Sequence, residues 1–315
     1  MKKIVITGAA GYIGSSLCEW LLDNLDCEIY AFDNMYYKQG TLVSKILSRD
    51  RITFHKEDVL DWSDNLLNSI AKSDFIIPLA ALVGAPLCEK YPSETVKINQ
   101  AWYMDLLKIA TNQVIIYPNT NSGYGTTGDV ICDERTPTNP LSLYAQTKDN
   151  SEKMILRGHS RSIVFRLATV FGCSFRTRTD LLINNLVKNA IENGSLTVFD
   201  GHFRRNYIHV KDICRAFLFA INNHEKMVGE VYNLGNDKIN TTKMQLVEKV
   251  CEITGASMIE DKSRTDPDKR DYVVSSEKIN KLGYEAIYSL DYGIKEMIKF
   301  YSIWNSEDAL KCRNY

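Results

Sequence analysis

The chain predicts an α/β fold, with a parallel sheet covered by helices on both faces and a smaller C-terminal substrate-binding subdomain. Three observations carry this. Short apolar strands alternate with helix-length segments through the first half, a glycine-rich turn joins the first strand to the first helix, and past about residue 170 the alternation loosens. The expected strands are "KIVITG" (3–8), "EIYAFD" (28–33), "ITFHKED" (52–58), "FIIPLAA" (75–81), "VIIYPNT" (114–120) and "SIVFRLA" (162–168). In 15–25, Leu17, Leu21 and Leu25 recur at helical spacing. Such alternation calls for right-handed crossovers and a parallel sheet. Later, 176–194 reads as a loop entering a helix stopped by Gly194, 230–236 as a strand and turn, and 241–255 as a helix with Thr at its start and Gly at its end. The expected division is 1–170, joined by about 206–228, for the first domain, and 171–205 with 229–315 for the second.

At 315 residues the chain can bury a sizeable core. Apolar residues at 44% and charged residues at 24% set aside disordered and fibrous classes. With 38 basic against 39 acidic residues there is no electrostatic footprint for nucleic acid or anionic membrane, so the expected partner is small. Eight cysteines fall without Cys-x-x-Cys or Cys/His ligand spacing, which argues against zinc and disulfides and fits a reducing cytoplasm. The start "MKKIVITG" opens like a signal peptide, but Gly8 and Gly11 interrupt it. No segment reaches the ~18 apolar residues of a membrane helix.

The first strand runs into "GAAGYIG", with Gly8, Gly11 and Gly14 directly before the amphipathic helix. Glycines there let the chain turn tightly and let a pyrophosphate approach the helix N-terminus, which marks a Rossmann-type dinucleotide site. Asp33 closes the next strand, where a carboxylate can accept both adenosine ribose hydroxyls. It would repel a 2′-phosphate, and its neighbours Asn34 and Met35 carry no positive charge, so NAD is expected over NADP. Asp58 ends the third strand, either beside the adenine edge or as a helix N-cap.

Tyr144 and Lys148 in "SLYAQTK" lie four apart on an expected helix and project from one face. An ammonium beside a phenol favours the phenolate and lowers its pKa toward neutrality, as a general base requires. The stretch "YPNTNSGYG" turns an apolar strand into small polar groups, which is either ordinary turn chemistry or Thr120 aimed at a ligand.

"GAAGYIG", "FDN", "DVLD", "PLAA", Thr120 four residues before Tyr124, Tyr144-x-x-x-Lys148 and "FRLATVFG" together resemble the extended short-chain dehydrogenase/reductases of the NAD-dependent epimerase/dehydratase family, which act on nucleotide sugars. The likeness runs over nearly the whole chain. It implies that Thr120 hydrogen-bonds the reacting sugar hydroxyl, that Tyr144 is the base and that Lys148 holds the nicotinamide ribose. The cofactor contacts it implies are Gly8, Gly11, Tyr12, Ile13, Gly14, Asp33, Asn34, Asp58, Val59, Leu79, Ala80, Ala81, Asn99, Tyr144 and Lys148. Substrate contacts are expected from Val83, Thr120, Asn121, Ser122, Asn184, Phe199, Arg205 and Arg270, with Arg264 a rival to Arg270 for the diphosphate. No metal is expected.

Within this family the 4,6-dehydratases carry Asp-Glu after the Thr, whereas this chain has Asn121 and Ser122. Neither takes a proton from C5 at neutral pH, which leaves 4-epimerisation or net 4-oxidation. The strings "IIPLAALVGAPLC", "YPNTNSGYG", "FRLATVFG", "HFRRNYIHV" and "DPDKRDY" resemble GDP-heptose 4-dehydrogenases of bacterial capsule synthesis more than the common UDP-hexose epimerases. Ala145 stands where many relatives have Gly. A non-catalytic NAD-binding regulator is the reading of another class, and retention of Thr120, Tyr144 and Lys148 speaks against it. The resemblance also implies a homodimer or higher homo-oligomer through helices around 96–110 and 144–157. Ile98, Trp102, Leu106 and Ile109 form a stripe that serves either that interface or the helix's own core face.

Overall fold

The computed structural model describes residues 1–38, 48–265, 270–303 and 313–314. Its strands are β1 (Lys2–Thr7), β2 (Cys27–Phe32), β3 (Ile52–His55), β4 (Phe75–Pro78), β5 (Val114–Thr120), β6 (Thr126–Cys132) and β7 (Ser162–Leu167). They continue with β8 (Thr169–Phe171), β9 (Ser195–Val198), β10 (Arg204–His209), β11 (Glu230–Leu234), β12 (Asn236–Thr242), β13 (Ser257–Glu260) and β14 (Asp271–Val274). Seven of these form a parallel sheet in the order β11-β7-β5-β4-β1-β2-β3. β1 pairs with β2 on one side and β4 on the other. The strand order reverses there, and the crevice of such a fold lies at the carboxyl ends of those strands.

Alternation along β1 shows why the sheet is covered twice. Ile4 and Ile6 pack with Leu17, Leu21, Ile213 and Phe217 from helices Tyr12–Asn24 and Val210–Met227. Val5 points the other way, into Leu66, Trp102, Leu106 and Ile155 from helices Asp64–Lys72, Trp102–Ile109 and Leu143–Gly158. The Trp102 stripe is therefore the helix's own core face. Trp102 stacks on Trp62 with centroids 5.4 Å apart and donates its indole N–H to the Val59 carbonyl at 3.0 Å. Ile98 and Ile109 pack against the same cluster, so the stripe lends no support to a dimer.

A second core gathers Phe171, Ile183, Val187, Tyr207, Leu246 and Met297 around the sheet β12-β10-β8. Its helix Lys243–Thr254 begins with a capping box between Thr242 and Gln245 and ends at left-handed Gly255. β10, from residue 204, pairs inside the second sheet, and the helix that follows it packs on the main one. β11 pairs with β7 at the edge of the main sheet, because the chain returns there after crossing over through Val210–Met227. Among the described residues no helix is long and apolar enough to cross a membrane.

The last long helix, Leu290–Tyr301, is stapled down by charge. Glu296 Oε2 meets His209 Nε2 at 3.0 Å and accepts the Cys173 N–H at 3.1 Å, while Oε1 accepts from Lys211 Nζ at 2.6 Å. Burial opposes ionisation, but these partners hold the Glu296 carboxyl down at about 2. Its stabilisation is therefore present above the ordinary carboxylate range and lost as pH falls toward 2, on the order of 2 kcal/mol. In urea unfolding at pH 7 and near pH 3, Glu296→Gln is expected to remove that part of the acid sensitivity.

Candidate active site

Gly8 follows β1 in the left-handed region at φ +68, and a Cβ there would lie 2.6 Å from Ala80 N. Only glycine lets the β1 and β4 loops meet in this way. A side chain on Gly14 would strike the Gly8 carbonyl. The helix that follows has Gly11 at its N-cap, without a side-chain cap or first-turn carboxylate, so its leading N–H groups are left for an anion.

One cavity is lined by Gly8, Gly11, Tyr12, Ile13, Gly14, Asp33, Asn34, Asp58, Val59, Leu79, Ala80, Ala81, Val83, Tyr144 and Lys148. Asp33 accepts the N–H groups of Ala10 at 3.0 Å and Met35 at 2.7 Å, and burial raises its pKa against them. Asp58 serves as the N-cap that was one of its two expected roles. It caps the turn at Val59–Asp61 through Leu60 N–H (2.9 Å) and borders the cavity, where Asn34 donates to it at 2.8 Å. Asn99 does not line the cavity. Buried, it accepts from Leu82 N–H at 3.0 Å and donates to the Leu82 carbonyl at 2.8 Å, fixing a residue that does.

At the other end, β5 delivers Thr120 into the turn Asn121–Tyr124. Thr120 Oγ1 accepts the Ser122 N–H at 3.2 Å and donates to Ser122 Oγ at 3.1 Å. Tyr144 and Lys148 sit one turn apart on helix Leu143–Gly158, which Ser142 caps. Lys148 Nζ lies 4.1 Å from the centre of the Tyr117 ring.

The charge states differ from the expected ones. Burial pushes the Tyr144 phenol up to about 12, against the opposing pull of Arg178, Arg270 and a hydrogen bond with Thr120. Burial brings Lys148 down to about 7, and Lys148 is not among the groups lowering the phenol. Sequence spacing gives proximity but not depth, and depth decides here.

Behind these groups lies a buried network. Arg166 donates to Glu152 through Nε at 3.1 Å and Nη2 at 2.6 Å, and to Tyr124 OH through Nη1 at 2.9 Å. Asn119 donates to Glu152 at 2.5 Å and accepts the Thr120 N–H at 2.8 Å. Glu152 continues the four-residue spacing of Tyr144 and Lys148, so one helix face carries all three.

The profile of the NAD dependent epimerase/dehydratase family matches residues 4–235. The chain belongs to that family. It is 27% identical over 319 residues to the low-salt glycan biosynthesis protein Agl12 of Haloferax volcanii, covering 95% of this chain and 98% of that one. Among solved structures, it resembles UDP-glucuronic acid 4-epimerase from Bacillus cereus in complex with UDP-glucuronic acid and NAD. That match has a TM-score of 0.85 and 26% identity, over 96% of this chain and 99% of the other. It also resembles dTDP-glucose 4,6-dehydratase from Bacillus anthracis in complex with NAD, with a TM-score of 0.84 and 25% identity, over 99% and 100% of the two chains. The cofactor of this family member is NAD, and the bare glycine turn, the uncapped helix and Asp33 fit it.

The residues expected to hold substrate are dispersed. Asn121 is 1% exposed, and neither atom of its side-chain amide has a hydrogen-bond partner. Arg270 reaches Ser122 Oγ, whereas its rival Arg264 lies away from the turn, 4.9 Å from the Phe199 ring. Lys243 Nζ lies 4.0 Å from that same ring. Arg205 is buried, 6.0 Å from the centre of the Tyr272 ring. Asn184 is wholly buried, accepting from Gly172 N–H at 3.0 Å and donating to the Arg178 carbonyl at 2.8 Å, and so shapes the loop that carries Arg178.

Both arginines that line the cavity, Arg176 and Arg178, are absent from the residues expected of the site. Arg178 is paired with Asp180 at 2.5 Å. Arg176 lies 3.7 Å from the centre of the Tyr37 ring, donates to Asn314 at 2.6 Å and lowers the Asp33 pKa against burial. Their signal was the doubled arginine of "RTRTD", which becomes meaningful only once the loop is folded over the cavity. The cation missing from the neighbours of Asp33 in sequence is thus supplied in space.

Two outcomes follow from this geometry. Asp33→Asn removes the repulsion and leaves Arg176, so the NAD over NADP preference should narrow on the order of tenfold in cofactor titrations. Arg166→Met leaves Glu152 buried and unpaired, and urea unfolding should show a loss of about 3–5 kcal/mol.

Proposed function

We propose that this protein oxidises a nucleotide-linked sugar at C4, with a GDP-heptose-like substrate favoured, in the cytoplasmic synthesis of a capsule polysaccharide precursor. The observation that carries the reading is the hydrogen-bonded pair Tyr144 and Thr120 beside Lys148 at the NAD cavity, next to a turn that offers Asn121 and Ser122 in place of an acid and a base. Bound NAD supplies the two-electron acceptor. Tyr144 takes the proton of the sugar 4-hydroxyl, Thr120 orients that oxygen, and Lys148 holds the nicotinamide ribose. Asn121 and Ser122 do not take a C5 proton, so water is not eliminated. The GDP-heptose preference rests on the sequence strings, and the arginines Arg205 and Arg270 suit a diphosphate by their planar donor forks. Self-association rests on the family resemblance alone, since the Trp102 stripe faces inward.

A second reading, 4-epimerisation, is favoured by the likeness to the Bacillus cereus 4-epimerase. It needs the same three side chains and differs only in returning the reducing equivalents to the other face of the ketone. A regulatory protein without catalysis is disfavoured by the assembled Tyr144–Thr120 pair.

Tyr144→Phe keeps the ring and removes the base. Substrate binding should survive while single-turnover NADH formation from a nucleotide sugar falls by roughly 10²–10⁴. Binding lost together with turnover would contradict the assignment. Because burial raises the Tyr144 pKa, phenolate is the minor form at neutral pH and its fraction grows as pH rises. The rate of NADH formation should therefore climb from about pH 7 to 9, and a fall across that range would oppose the role given to Tyr144.

A further inference from the structure

We infer that Arg270 is a positioning residue for proton transfer, holding Thr120 in place for Tyr144 through the hydroxyl of Ser122. The inference rests on Tyr144 acting as the base. It begins with a chain of hydrogen bonds. Arg270 Nη1 donates to Ser122 Oγ, Thr120 Oγ1 donates to the same Ser122 Oγ at 3.1 Å, and Thr120 in turn hydrogen-bonds Tyr144. Ser122 is 5% exposed, so protein groups and not bulk water satisfy its hydroxyl. The backbone closes the arrangement, with Ser122 N–H donating to Thr120 Oγ1 at 3.2 Å.

The direction of these bonds gives Arg270 its effect. A guanidinium has donors and no acceptor, so Ser122 Oγ must accept from it. With that lone pair occupied, Ser122 stays satisfied when Thr120 turns its hydroxyl proton away toward the phenolate of Tyr144. Without Arg270, the same turn leaves a buried acceptor short of a donor, which is costly. Arg270 thereby lowers the cost of the one hydrogen-bond change that stabilises the base.

The other ionisable groups bearing on Tyr144 do not duplicate this link. Arg178 is engaged by Asp180 at 2.5 Å, and Cys88 donates its thiol to the Leu82 carbonyl at 3.4 Å. Lys148 faces the Tyr117 ring, and the phenols of Tyr103 and Tyr117 donate to the carbonyls of Pro78 and Lys148. Among the described residues, the Thr120 hydroxyl reaches Ser122 as well as Tyr144, and the Ser122 hydroxyl continues to Arg270.

The test compares wild type, Arg270→Met, Arg270→Lys, Ser122→Ala and the Ser122→Ala/Arg270→Met double variant in NADH formation from a nucleotide diphosphate sugar. Arg270→Met should lower kcat roughly tenfold, the scale of one charge-assisted hydrogen bond. It should also move the alkaline rise of the pH profile upward by about one unit. Arg270→Lys, which keeps a charged donor, should restore the position of that rise. Ser122→Ala should lower kcat with KM unchanged, and the double variant should be no worse than its single parents. Arg270→Met that raises KM while leaving kcat and the pH profile in place would overturn the inference, leaving Arg270 a ligand for the diphosphate only. A direct readout separates this from the proposed function: NMR titration of ¹³Cζ-tyrosine, with the Tyr144 signal assigned by its loss in Tyr144→Phe. If wild type oxidises no nucleotide sugar, the functional reading fails, yet an upward-moved Tyr144 midpoint in Arg270→Met still supports the inference and an unmoved one overturns it.

Discussion

The buried contact between Glu152 and Arg166 is what the placement of Tyr144, Lys148 and Thr120 depends on. Glu152 shares a helix face with Tyr144 and Lys148, and Arg166 stands on β7 beside the strand that ends in Thr120. The ion pair therefore locks the helix that carries Tyr144 against the strands β7 and β5, the latter ending in Thr120. Asn119 extends the lock by bonding Glu152 and the Thr120 N–H together, and Tyr124 extends it to Asn233 on β11 at 2.7 Å. Such a pair stabilises little against an apolar replacement, but breaking one side of it is expensive. Its value here is geometric: it makes the separation of Tyr144 and Thr120 a property of the core instead of a surface turn.

Burial then sets the chemistry. Lys148, brought down to about 7, changes charge near neutrality, while Tyr144 is held high despite two guanidiniums and a hydroxyl acting on it. A lysine four residues along a helix thus does not by itself make a phenolate. The cations that act on the phenol come from elsewhere in the chain, Arg178 from the loop before helix Leu182–Asn193 and Arg270 from the segment before β14. Segments far along the chain from helix Leu143–Gly158 therefore take part in tuning the phenol that this helix carries.

What was legible in the sequence was local. The glycine turn after β1, Asp33 just past β2 and the Tyr144–Lys148 pair on one helix follow from spacing within single elements, and one cavity borders on all of them. What depends on packing was not legible. Asn184 sits in a promising string, yet the helix buries it beneath Gly172. Arg176 and Arg178 lie in a stretch legible only as a loop entering a helix, and it is the folded loop that brings them to the cavity. β11 read correctly as a strand but not as a member of the main sheet, because strand partners are chosen by the crossover and not by the strand's own residues. The inward side of the Trp102 stripe was likewise undecidable from periodicity, which marks an apolar face without saying what covers it.

The most direct test of the central claim is the mass of the product formed when the purified protein is incubated with NAD and, in turn, GDP-heptose and UDP-hexoses. A product lighter by two hydrogens, appearing with NADH, is the result the account predicts. An unchanged mass with inverted C4 would make the protein an epimerase, and a product lighter by one water would contradict the reading of Asn121 and Ser122.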